Sequence, residues 1–126
     1  MAGDSISLLL RQESTALTKR APDVMQGTLD LLVMKALARE PMHGWGVSSR
    51  IREMSRGGFR IGQGSLYPAL HRLENREWIT SIWRQTENNR IARFYELTPK
   101  GRHVLQDRIA GWRSYVGAIN LVIDAD

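Results

Sequence analysis

The sequence predicts a mainly α-helical protein with a small β-hairpin, an α+β domain followed by a long C-terminal helix. Apolar residues recur at helical spacing in successive stretches between Thr28 and Glu77. Two segments rich in β-branched and aromatic residues, 79–85 and 91–97, flank a polar link. After Pro99 no further proline interrupts the chain, so a single long helix can follow.

Residues 1–25 are expected to form an arm able to become helical, with Ile6, Leu8, Leu9, Leu10 and Leu17 as its apolar patch and Ala21-Pro22 near its end. The first helix of the domain is expected from Thr28. Leu29, Leu32, Val33, Ala36 and Leu37 form its stripe, while Leu31 and Met34 add apolar surface away from it. A helix greasy on two sides needs two packing partners, so Leu31 and Met34 are expected to meet a second copy of the chain.

Pro41 ends that helix. A second begins near His43 with Val47, Ile51 and Met54 in register and stops at Gly57-Gly58. Phe59-Arg60-Ile61 has the composition of a brief strand. The third helix is expected over Ser65 to Glu77, with Leu66, Leu70 and Leu73 on one face and Ala69 beside them. With Ser65 as N-cap, Pro68 falls in the first turn, where its missing N–H costs nothing.

Ile79–Gln85 and Ile91–Leu97, joined by residues 86–90, read as a hairpin, since Asn88 and Asn89 tolerate the left-handed backbone of tight turns. Its faces do not alternate cleanly, which leaves open the side that packs on the helices. Thr98-Pro99 then supplies an N-cap hydroxyl and a proline at the first helical position. Leu105, Ile109, Trp112, Val116, Ile119 and Ile123 follow at spacings of 4, 3, 4, 3 and 4, a heptad seam. Gly111 and Gly117 each cost about 1 kcal/mol in a helix interior, so packing must compensate for them. A seam this regular predicts dimerisation through residues 99–126, with 26–98 as the domain proper.

Composition narrows the chemistry. At 126 residues the chain is sized for one core. It has no cysteine, which removes disulfides and thiolate metal sites and suits the cytoplasm. No apolar run is long enough to span a bilayer, and Asp4 rather than a basic region precedes Leu8 to Leu10, so no membrane or secretory segment is expected. The net charge is +5, and its excess lies in residues 43–103, where 11 basic side chains face 5 acidic ones and 10 of the 11 are Arg. Arginine binds phosphate through two parallel hydrogen bonds, so a polyanion is the expected partner.

Helix, helix, helix, hairpin and long helix is the order of a winged helix-turn-helix domain, whose third helix enters the major groove. On that helix Gly64, Pro68, His71 and Asn75 lie opposite the leucines, with Ser65 and Arg72 on one flank and Tyr67 on the other. Small residues at its start let backbone N–H groups and the positive dipole end approach phosphates. Ser65 and Tyr67 can bond phosphates, Gln63 suits adenine, and Arg72 can reach phosphate or guanine. Arg84, Asn88, Asn89, Arg90 and Arg93 extend the candidate surface along the wing, where arginine suits a narrow minor groove.

Enzymatic readings find no support. His43, His71 and His103 lack metal-ligand spacing, Gly62-Gln63-Gly64-Ser65 lacks the Lys-Ser/Thr ending of a phosphate loop, and Ser65 sits in no nucleophile elbow. Neither catalysis, nor a metal, nor a cofactor is expected. The alternative is a winged-helix module that binds a protein, which exposed aromatic or aliphatic anchors would mark.

The stretches QGTLDLLVMKAL (26–37), PMHGWG (41–46), GQGSLYPALHRLE (62–74) and ENNRIARFYELTPKGR (87–102), with Trp78, Ile79 and Trp112, resemble the PadR family of transcriptional regulators, in particular its short subgroup with a single C-terminal helix. The resemblance implies a homodimeric repressor whose C-terminal helix packs on its partner's, and DNA contacts from the SLYP segment, the wing tip and the backbone near His43-Gly44. It also implies that a hydrophobic small molecule could bind near Trp112 and Tyr115. Trp45 stands where the family commonly has Tyr.

Overall fold

The computed structural model describes the backbone of residues 22–126 and the side chains from residue 27 onward. The arm expected over residues 1–25 lies outside the described residues as far as residue 21. Residues 22–25 instead begin the first helix, α1 (Pro22–Leu37), six residues ahead of Thr28. Proline suits this start because its fixed φ is already helical and the N–H it lacks has no helical partner there.

The buried arc of α1 takes in Asp30, Val33, Met34, Ala36 and Leu37. Met34 is 0% exposed within the single chain, which corrects the expectation that it faces another copy. The reason is topological: α1 is the central helix, touched by the next two helices, the long C-terminal helix and a wing strand. The side that carries Met34 is covered by its own domain. Leu31 packs on the margin of the same core.

Strand β1 (Met42–His43) follows, then α2 (Gly44–Met54) and α3 (Gln63–Asn75). The segment 59–61 forms no strand; its Ile61 carbonyl instead accepts a 2.6 Å hydrogen bond from the Ser48 hydroxyl of α2. The start of α3 also differs from expectation, with Gly62 as N-cap and Pro68 inside the helix. Pro68 removes the N–H that the Gly64 carbonyl would have accepted, and Gly64 is exposed, so water can replace it. At the other end Glu77 takes φ 63°, while the N–H groups of Glu77 and Trp78 bond the carbonyls of Glu74 and Leu73. This is the left-handed helix stop that glycine usually fills.

Strands β2 (Ile79–Gln85) and β3 (Ile91–Leu97) form the expected hairpin, and β1 adds to its free edge to give the order β1-β3-β2. Ile79 pairs with Leu97, Ser81 with Tyr95, Trp83 with Arg93 and Gln85 with Ile91. Ile79, Tyr95 and Leu97 are buried, which settles the face left open by the sequence. Helix α4 (Pro99–Ile123) begins at the Thr98 hydroxyl, which accepts the Gly101 N–H at 2.9 Å and lies within bonding distance of the Glu77 and Trp78 carbonyls. A Cβ on Gly101 would overlap the Trp78 carbonyl, so only glycine allows α4 to approach the base of the wing.

The core gathers Val33, Met34 and Leu37 of α1, Val47 and Ile51 of α2, Leu66, Leu70 and Leu73 of α3, the wing base and Leu105 of α4. Among the described residues no helix is long and apolar enough to cross a membrane. The architecture is a winged helix-turn-helix with a long trailing helix.

Candidate nucleic-acid interface

The first turns of α2 and α3 come together. His43 caps α2 by accepting the Gly46 N–H on its Nδ1 at 3.0 Å. Tyr67 of α3 lies against Gly44; a Cβ there would sit 2.9 Å from the Tyr67 hydroxyl oxygen. The absence of a side chain at Gly44 therefore lets the phenol seat beside the start of α2. At α3, Gly62 offers no side-chain cap, so the N–H groups of Gln63 and Gly64 have no helical or capping partner, while that of Ser65 bonds the Gly62 carbonyl at 3.1 Å. Gln63, Gly64, Ser65, Tyr67 and Pro68 are all exposed. Two positive helix ends, a hydroxyl, an amide and small side chains thus share one surface, an arrangement able to hold phosphate and to approach base edges.

Other expected contacts are directed elsewhere. Arg72 donates to Asp30 at 2.8 Å, and Asp30 is 4% exposed. A buried carboxylate requires such a partner, so Arg72 ties α3 to α1 rather than reaching out from the helix. Arg93 donates to both carboxylate oxygens of Glu74 at 2.9 and 3.0 Å and to the Ser81 hydroxyl at 2.8 Å, while Ser81 donates to Glu74 at 2.5 Å. This network joins the wing to the flank of α3. Beneath it, burial raises the Tyr95 phenol above its usual pKa; Arg93 opposes the shift, and Glu74 and Tyr67 add to it.

Arg84 lies on the other face of the sheet, its guanidinium 5.1 Å from the Phe94 ring centre. Phe94 in turn meets His43 edge-on at 5.5 Å, and Trp45 stacks on His43 at 6.1 Å. At the wing tip Asn88, Asn89 and Arg90 are exposed. Asn89 adopts φ 64°, and Thr86 and Arg90 close the turn through a 2.6 Å backbone hydrogen bond.

Two groups escaped the sequence reading. Arg56 and Arg60 are exposed in the turn leading into α3; the charge asymmetry counted them, but no local pattern distinguished them from solvated arginines. The exposed apolar residues Trp83 and Ile91 of the wing also carry no distinguishing sequence signal, because β-branched and aromatic composition marks a strand without saying which part of it is covered.

The expected seam on α4 divides. Leu105 is in the chain's own core and Ile109 packs against it, because the first turns of α4 lie on α1. Val116 is half-buried, whereas Trp112, Tyr115, Ile119 and Ile123 are exposed. Trp112 and Tyr115 stand 6.2 Å apart between ring centres. Among the described residues no cluster of potential metal ligands occurs.

Compared with known proteins, residues 33–107 match the family described as transcriptional regulator PadR-like. The fold is similar to that of a transcriptional regulator from Clostridium thermocellum, with TM-score 0.70 and 26% identity, covering 78% of this chain and 95% of that one. It is likewise similar to a PadR family transcription regulator from Clostridium difficile, with TM-score 0.67 and 26% identity over 75% of this chain and 97% of that one. A transcriptional regulator of Mycobacterium tuberculosis is 45% identical over 60 residues, which span 47% of this chain and 55% of the relative.

Proposed function

The chain belongs to the PadR-like family of transcriptional regulators, and from that premise we propose that it is a repressor that binds an inverted repeat in duplex DNA as a homodimer. The observation that carries this reading is the shared surface of the α2 and α3 starts, where Tyr67 seats against Gly44 beside the exposed Gln63, Gly64 and Ser65. That surface suits backbone phosphates and base edges together. Arg56, Arg60 and the wing-tip Arg90 supply further charge for the flanking phosphates. The exposed apolar residues of α4 from Trp112 to Ile123 are the surface through which two copies associate, setting their reading helices about 34–36 Å apart, one turn of duplex.

The protein acts in the cytoplasm without catalysis, metal or cofactor. A hydrophobic or aromatic small molecule binds beside Trp112 and Tyr115 and releases the operator by favouring a different spacing of the helices.

Selection from random duplexes tests the central reading. The expected result is an enriched palindrome whose half-sites lie one helical turn apart, with affinity that falls steeply as salt rises. Gln63→Ala should change the enriched sequence, whereas Tyr67→Phe should weaken all sites alike. No enrichment in dilute salt would overturn DNA binding, and an enriched site without two-fold symmetry would overturn the dimeric mode.

A further inference from the structure

Two large apolar side chains at the outer part of the wing have no cover among the described residues. Trp83 is 69% exposed and Ile91 is 72% exposed. The register sets Trp83 opposite Arg93 and Gln85 opposite Ile91, so Trp83 and Ile91 are diagonal neighbours on one face of the hairpin. That face carries Ile79, Tyr95 and Leu97 into the core at its base. Toward the tip the same face emerges from the core, with Trp83 and Ile91 set beside the polar Gln85 and Arg93. Its cation is neutralised there, because Arg93 is held by Glu74.

The position of α3 fixes where this face looks. Glu74 and Tyr67 are seven residues apart and so lie within about 20° of each other on the helix. The wing leans on that flank through Ser81 and Arg93. The outward face of α3, around Gly64, His71 and Asn75, adjoins the Glu74 flank on which the wing leans. A duplex with α3 in its major groove would bring the adjacent minor groove against the wing. Apolar wedges flanked by cations are how proteins unstack base steps in that groove and kink the helix, and Arg90 at the tip supplies the flanking charge.

We propose that Trp83 and Ile91 form an apolar wedge that enters the minor groove beside the wing tip and bends the duplex there. This rests on the DNA-binding reading above. A protein partner is the other chemistry such anchors suit, but continuity with the α3 surface and the adjoining arginine favour DNA.

The test uses the full chain and a selected operator labelled at both ends for energy transfer, with affinity measured over a range of salt. Wild-type protein should bend the duplex by at least about 20°. Trp83→Ala and Ile91→Ala should each straighten it and lower affinity about tenfold, with the dependence of affinity on salt unchanged because no phosphate contact is lost. Arg90→Ala should instead reduce that dependence, and Trp83→Phe should retain the bend. Unaltered melting temperatures are expected, since both side chains are exposed. Wild-type affinity and bend in the Trp83→Ala, Ile91→Ala double variant would overturn the wedge and leave the pair to a protein partner. A loss accompanied by a changed salt dependence would overturn it as well, by making the effect electrostatic. Failure of the wild-type chain to bind any duplex would instead remove the underlying reading.

Discussion

At its N-terminal end α3 presents Gln63, Gly64, Ser65 and Tyr67 from a first turn without a side-chain cap, whereas its C-terminal half places Arg72 on Asp30 and Glu74 on Ser81 and Arg93. Both halves are amphipathic and both carry polar side chains beside the same leucine face. They differ in what the neighbouring elements offer. Near the start, α2 contributes Gly44 and its helix end, which leave the polar groups of α3 available to a partner outside the chain. Further along, α1 and the wing contribute oppositely charged groups, and the polar residues become ties between elements. A rigid rear and an open front are what a reading helix needs, because contacts to bases discriminate only when the helix that makes them is held still.

Substitutions can break this contrast from either end. The largest effect is expected at the rear. Asp30→Ala removes the buried carboxylate that holds Arg72; since Arg72 is 29% exposed and can turn toward water, the cost should be about 2–3 kcal/mol, at the low end for a broken buried pair. Denaturant unfolding would measure it, and a loss below about 0.5 kcal/mol, the range of ordinary surface changes, would mean that the tie is ornamental.

Glu74→Gln should cost less, about 1 kcal/mol, because Arg93 is partly solvated. Its clearer consequence is a looser wing, visible as faster hydrogen exchange in β2 and β3 while the core of α3 stays protected. Glu77→Gly should act in the opposite direction. It relieves the left-handed backbone at φ 63° and should raise stability by up to about 1 kcal/mol, less whatever glycine gains in unfolded-state freedom. At the front, Gln63→Ala should leave stability within about 0.5 kcal/mol of wild type. A large loss there would show that the helix start is built for folding rather than for contact.

Much of the fold was legible because it is written in local chemistry. The hairpin limits 79–85 and 91–97 emerged from β-branched composition and the Asn-rich link, and the start of α4 from an N-cap threonine followed by proline. The difference at the start of α3 has the same origin: Ser65 is a better N-cap by type than Gly62, but Gly62 is the last residue with extended backbone before the helix. β1 was missed because a two-residue strand has no periodicity to detect and exists only through pairing with β3. In the candidate interface, Gln63, Ser65, Tyr67 and the wing-tip residues could be named from helical spacing and turn chemistry.

The sequence by itself determined the order of elements, the leucine face of α3, the cap of α4 and the concentration of arginine in the middle of the chain, since each depends on residues close together along the backbone. Only the tertiary structure decided that Met34 and Leu105 belong to the chain's own core, that Arg72 and Arg93 hold α3 in place, and that Trp83 and Ile91 remain uncovered. Periodicity says that a side chain has a greasy or charged face, but the element that meets this face comes from elsewhere in the sequence, and its approach is set by packing the whole core at once.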